Sequence, residues 1–395
     1  MPDWNKDELK ILTQTADLLN VMSCALCAVR KDCKETEFCL LPATEDMGVL
    51  LADVLEEHRI PFERHRNLFG LPNSRERASA ARVIALLRQL LSEPERQAIS
   101  VLSGEPLDFP HSQPIDEWWK IYQTDWFADA LASNAFEIWF QPIVDPGGAL
   151  AGGAAAPRVL AHECLIRLNA GRPYNGAEIV EAARVRNEIH AFDSHARSLS
   201  IRSAAAQSRD ARYFINFMPS SIYNPELCMR STLATLEECG MKPENITFEV
   251  VESDHVRDPA HLRRICDYYR SRGFGFALDD LGTGSNSLQM MCDLRPDYIK
   301  LDKSLISGVE QPMYAATIRK LVELANRFGT VVIAEGVERQ ETMENLWLLG
   351  VQWMQGYLFG RPAPRLCEEG FQPRYAQRKQ QASATRPRRA ASRAR

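Results

Sequence analysis

The chain has 395 residues, 45% of them hydrophobic and 25% charged, with a formal net charge of −5 at pH 7. That length suits one large or two ordinary domains, and the mild negative charge excludes a general attraction to nucleic acid. No apolar run approaches the roughly 18 residues that a bilayer-spanning helix requires, and MPDWNKDELK lacks the apolar core of a signal peptide, so the expected location is the cytoplasm.

From the N-terminus, Trp4 to Leu19 has amphipathic helical spacing, and Cys24, Cys27, Cys33 and Cys39 follow as C-x2-C-x5-C-x5-C. The C-x2-C half carries ligands for zinc or an iron–sulfur cluster and can also cycle as a redox pair. The full spacing matches no standard ligand pattern, and VMSCALCAVR and TEFCLLP also read as strands in which cysteine is an ordinary core residue, the favoured reading. Both readings stay open. MGVLLADVLEEHRI has helical spacing, PFERHRNLFGLP ends in a stop signal, and SRERASAARVIALLRQLLSEPERQAI reads as a helix pair. Residues 1–112 are therefore expected to form a small α/β domain with a regulatory or sensory role. The loop DFPHSQP marks its end. Residues 113–134 read as a linking amphipathic helix anchored by Trp118, Trp119, Tyr122 and Trp126.

Beyond residue 135 the pattern changes to short apolar runs separated by helical segments: FEIWFQPIV, VLAHECLIRL, RYFINF, NITFEVVE, FGFALDD, DYIKLD, VVIAEG and VQWMQG. About eight strands in roughly 240 residues, alternating with helices, is the requirement of a closed, mostly parallel βα barrel. PGGALAGGAAAP stands between the first two strands as a flexible loop. The last stretch, residues 373–395, is basic and nearly free of large apolar residues, and is expected to be a disordered tail.

In a βα barrel the working residues sit where strands run into loops. Those positions hold Asn216, Glu249, Asp279, Asp280, Lys300, Glu335 and Gln355, with Glu163 on the second strand. Five carboxylates at one barrel mouth repel each other unless cations share the site. Oxygen ligands with one amide and no His or Cys suit Mg²⁺ or Mn²⁺ better than zinc. A carboxylate able to bridge two ions, with a lysine nearby, suits hydrolysis of a phosphate ester.

The motifs QPIV, ECLIR, FINF, FEVVE, LDDLGTG, IKLD, AEGVE and QGYLFGRP, in that order from Gln141 to Pro362, resemble those of the EAL family of cyclic di-GMP phosphodiesterases. The resemblance covers residues 135–372 and implies a TIM-like (βα)8 barrel that opens cyclic di-GMP to linear pGpG with two Mg²⁺ or Mn²⁺ ions. It also implies a homodimer formed through the barrel. By the same resemblance, Glu163, Asn216, Glu249 and Asp279 match metal ligands, with Asp279 bridging to a second ion that Asp280 and Glu335 help to hold. Lys300 matches the lysine that orients or deprotonates the attacking water. Glu252 matches a loop-steadying glutamate and Gln355 a glutamine near the water, and Glu338 of AEGVE is grouped with them. Gln141, Leu165 and Arg167 match substrate-facing residues. The sequence departs from the family at Cys164, where Ala is usual, and in DDLGTGSNS, where Leu281 and Ser285 replace two aromatic residues. A binding module that keeps the fold and acts as a cyclic di-GMP receptor is the rival expectation.

Overall fold

The computed structural model describes residues 38–71, 77–103, 112–150, 157–251, 258–281 and 287–367. Cys24, Cys27, Cys33, Glu252, the loop 282–286 and the tail 373–395 lie outside the described residues. The chain divides into two compact units between Asp125 and Trp126.

The first unit is a five-stranded sheet of β1 (Phe38–Pro42), β2 (Glu63–His65), β3 (Leu68–Gly70), β4 (Ile99–Ser103) and β5 (Gln113–Pro114), in the order β2-β3-β1-β4-β5. Both β3 and β4 pair antiparallel with β1. With helices Glu45–Glu57 and Arg77–Leu90 between strands, this is the split βαβ-βαβ arrangement with one added edge strand. The β2-β3 hairpin within PFERHRNLFG was not anticipated from sequence. Its three-residue strands show no readable alternation, and β2 is mostly exposed. Cys39 is fully buried in β1 beside Leu68 and Leu102, an ordinary core position.

Where one linking helix was expected there are two, Ile115–Gln123 and Asp125–Ala132. The first ends at Thr124, whose hydroxyl donates to the Ile121 carbonyl. Its Ile115 and Trp118 pack into the first unit, whereas Phe127 and Ala130 of the second pack with Phe136 and Phe192 in the second unit.

The second unit is built on β6 (Glu137–Asp145), β7 (Arg158–Ala170), β8 (Arg172–Tyr174), β9 (Tyr213–Asn216), β10 (Ile246–Val251), β11 (Gly275–Leu281), β12 (Tyr298–Leu301), β13 (Val331–Ala334) and β14 (Trp353–Gln355). All eight expected strands are present, and pairing of β6 with β7 closes them into a barrel from which β8 extends. Seven run parallel, while β6 is antiparallel to both of its neighbours. Side chains alternate across each strand. Ile143, Ala161, Phe214, Ala277 and Ile333 fill the barrel interior as one apolar layer. On the opposite face Phe248 and Phe276 are fully buried, and Phe248 meets Tyr269 of helix Pro259–Ser271. Burial of each such aromatic side chain contributes roughly 1.5–3 kcal/mol.

Candidate active site at the mouth of the barrel

Two residues beyond the apolar layer, the same alternation brings up Glu163, Asn216, Glu249, Asp279, Lys300, Glu335 and Gln355. One layer of the barrel is thereby polar. Strand register ties neighbours together, with Gln141 opposite Glu163 and Glu249 opposite Asn216.

Lys300 is the centre of this layer. It is fully buried, and its Nζ lies 2.6 Å from Glu335 Oε1, 2.9 Å from Glu249 Oε1, 3.3 Å from Asp279 Oδ1 and 3.7 Å from Glu163 Oε2. Its contacts with Glu249, Asp279 and Glu335 are charge-assisted and oppose the effect of burial on those carboxyls. Around this core, Asn216 Nδ2 donates to Glu163 Oε1 at 3.1 Å and Gln355 Nε2 to Glu163 Oε2 at 2.6 Å. Gln355 also donates to Gln141 Oε1, and Gln141 donates to the Gly360 carbonyl. Glu163 is thus oriented from both sides.

Asp279 and Asp280 are adjacent, and in a regular strand adjacent side chains face opposite ways. Here the pleat breaks. Asp280 has a left-handed φ of 55°, and the pairing of β11 with β12 shifts register between Leu278 and Leu281. An oxygen of each aspartate and one of Glu335 consequently lie within 4.8 Å of one another. Asp tolerates this backbone better than most residues.

Charge in the layer is unbalanced. Burial, reinforced by the neighbouring acids, pushes the Glu249 and Glu335 carboxyls well above their ordinary value and raises Asp279 too, despite Lys300. Burial and Asp279 raise Asp280 to about 6. For Lys300 burial alone favours the neutral amine, but Asp279, Glu163, Glu249 and Glu335 together outweigh it and hold the ammonium well above its ordinary range. This is the reverse of the lowered value a general base needs. The donor set, all oxygen, with several carboxyls raised by burial and by one another around a single lysine, fits hard divalent cations.

A cleft of about 360 Å³ opens over the layer, lined by Glu163, Leu165, Asp279, Glu335 and Gln355 among others. Leu165 and Arg167 border an adjoining cavity of about 510 Å³. Arg167 Nη1 donates to the Ile166 carbonyl, and burial lowers its pKa against the pull of Glu163 and Tyr357. Glu338 is not in the layer. It is exposed on the cleft rim, 2.6 Å from Lys303. Sequence reasoning passed over Lys303, although it directly follows IKLD, and Tyr357, although it lies in QGYLFGRP; both line the cleft. It also passed over a buried pair behind the layer, Asp193 and Arg197, whose i,i+4 spacing in a helix was the available signal.

A closed βα barrel with an oxygen-rich, cation-seeking mouth around a buried lysine defines the class. Residues 124–362 match the EAL domain, and the chain belongs to that family. It is 30% identical over 236 residues to the cyclic di-GMP phosphodiesterase RocR of Pseudomonas aeruginosa, a match covering 59% of each chain. The chain thus spans about three fifths of that relative's length. Among solved structures, a standalone EAL protein from Vibrio cholerae O395 in its c-di-GMP bound form is 30% identical, with a TM-score of 0.52 over 59% of this chain and 94% of that one. The Klebsiella pneumoniae BlrP1 calcium/cy-diGMP complex is 27% identical, with a TM-score of 0.51 over 58% of this chain and 56% of that one. Among the described residues no helix is long and apolar enough to cross a membrane.

Proposed function

We propose that this chain hydrolyses cyclic di-GMP to linear pGpG, in the cytoplasm and as a homodimer, under control of its N-terminal region. The observation that carries this reading is the layer of four carboxylates gathered around the buried Lys300, in a chain of the EAL family.

Glu163, Asn216, Glu249 and Asp279 would hold one Mg²⁺ or Mn²⁺, and Asp279, Asp280 and Glu335 a second. When bound, such a pair supplies Lewis-acid charge for the phosphoryl oxygens and lowers the pKa of water. The chain's own residues do the rest. Lys300 is held as the ammonium by the carboxylates against the effect of burial; with their charge compensated, burial would lower the lysine toward a value at which Nζ could take a proton from the attacking water. Gln355 and Asn216 fix the orientation of Glu163. Gln141, Leu165 and Arg167 face the nucleotide, and Glu252 steadies the adjoining loop. Glu338 contributes from the rim.

The test is turnover of cyclic di-GMP by the purified full-length protein with Mg²⁺ or Mn²⁺, resolved by chromatography, beside Glu163→Ala and Lys300→Ala. Each substitution is expected to reduce turnover by at least about 10²-fold. Metal-dependent binding with no turnover in the parent would instead establish the receptor reading, which the altered loop at Leu281 and Ser285 favours.

A further inference from the structure

Four carboxylates, Glu163, Asp279, Glu335 and Glu338, reach the walls of the cleft, and among its described lining residues Lys303 is the one cation. Lys300 lies beneath the floor, fully buried. The nearby Arg361 is placed over the Tyr357 ring, 4.0 Å from its centre.

Two features deliver Lys303 to the rim. Asp302 caps the short helix Lys303–Ile306 by accepting from the Ser304 N–H at 2.8 Å, which sets the direction in which the lysine leaves the backbone. Its stem then runs across Gly336, the residue after Glu335. A Cβ at 336 would sit only 2.8–3.0 Å from Lys303 Cβ, Cγ and Cδ, and Gly336 has a φ of +62°. Bare backbone beside Glu335 is therefore the track along which the lysine lies. Its ammonium meets Glu338 Oε1 at 2.6 Å, with the two side chains 57% and 45% exposed. A pair this exposed is weak and readily exchanged for another anion.

We propose that Lys303 determines substrate specificity by leaving Glu338 to bind the second, non-reacting phosphate of a cyclic dinucleotide. The inference rests on the phosphodiesterase reading above. Such a substrate carries two phosphodiester anions, and only one can occupy the reaction centre. With Glu163, Asp279 and Glu335 given to the cations, Glu338 is the remaining acid among the described residues of the cleft wall, and it repels the other phosphate unless Lys303 answers that charge. An exposed ammonium is a competent point-charge ligand for phosphate. A merely solvated surface pair would be indifferent to how many phosphates the substrate has.

The experiment compares the full-length protein with Lys303→Ala and Lys303→Arg on two substrates in Mn²⁺: cyclic di-GMP, and bis(4-nitrophenyl) phosphate, which has a single phosphodiester. Loss of one charge-assisted contact is expected to raise KM for cyclic di-GMP about tenfold in Lys303→Ala, with kcat little changed. The ratio of kcat/KM between the two substrates should fall by the same factor, and Lys303→Arg should restore most of it. An unchanged ratio, or equal losses on both substrates, would overturn the proposal. Calorimetric binding of cyclic di-GMP in Ca²⁺ tests the contact apart from turnover: Kd should weaken about tenfold in Lys303→Ala, and an unchanged Kd also overturns it. A parent inactive on both substrates, yet with binding that depends on Lys303, would remove the phosphodiesterase reading and leave the contact standing.

Discussion

Lys300 is a fully buried ammonium whose protonation is set by four carboxylates, three on different strands and Glu335 just past the end of a fourth. Removing the positive charge leaves those acids facing one another with no compensation. In chelator, Lys300→Met is therefore expected to lose about 3–5 kcal/mol of stability, the range for breaking a buried ion pair. Millimolar Mg²⁺ should return part of that loss, because a cation that binds only the folded state stabilises it by mass action. Urea unfolding of parent and variant, each with EDTA and with Mg²⁺, measures this. If Mg²⁺ stabilised neither protein, cation binding by these acids would be refuted.

At the scale of elements, the segment that follows β9 is held from behind by helix Ile189–Gln207. Asp193 accepts the Met218 N–H at 2.9 Å and the Ser221 hydroxyl at 2.7 Å, and pairs with Arg197 at 3.0 Å. Arg197 in turn donates to Thr232, and both charged residues are 1% exposed. Because Met218 lies two residues past Asn216, this buried pair braces the strand end that presents a proposed ligand. Asp193→Asn leaves a buried guanidinium uncompensated and should cost about 3–5 kcal/mol. Adding Arg197→Met should recover part of that, since the orphaned charge goes with it. Denaturant titration of the single and double variants decides the matter; a double variant no more stable than the single would mean that the hydrogen bonds to Met218 and Ser221, rather than charge, dominate.

At the scale of the molecule, two units with separate cores can unfold separately, so stability has to be read transition by transition. In the first unit Asp116 ties its helix to two neighbours, accepting from Arg88 Nε at 2.6 Å and Arg96 Nε at 2.7 Å. Burial pushes this carboxyl up, but the hydrogen bonds and charges of Arg96 and Arg88 prevail and hold it below its ordinary 3.8. A carboxyl with a depressed folded value contributes stability that is complete above the unfolded pKa and disappears as pH falls through the folded one. Asp116→Asn should therefore lower the first unit's stability by about 2 kcal/mol at pH 7, and the gap should close as pH is taken below about 4. Calorimetry of both proteins across that range is the check; a gap independent of pH would assign the loss to packing.

The sequence by itself determined the barrel and the membership of its polar layer, because strand alternation is local and each strand carries its own signal. The apolar runs that carry Glu163, Asn216, Glu249, Asp279, Lys300 and Glu335 can be counted without any knowledge of how the strands meet. Short or exposed elements were less legible: β2 and β3 are three residues each, too short for a period to show. Three features were decided only by tertiary structure. Asp279 and Asp280 converge because Asp280 adopts a left-handed backbone beside a register shift. Lys303 reaches the cleft because Gly336, from another strand's end, leaves room for its stem. The charge state of Lys300 is a sum over carboxylates distant in sequence, and such sums exist only once the barrel has closed.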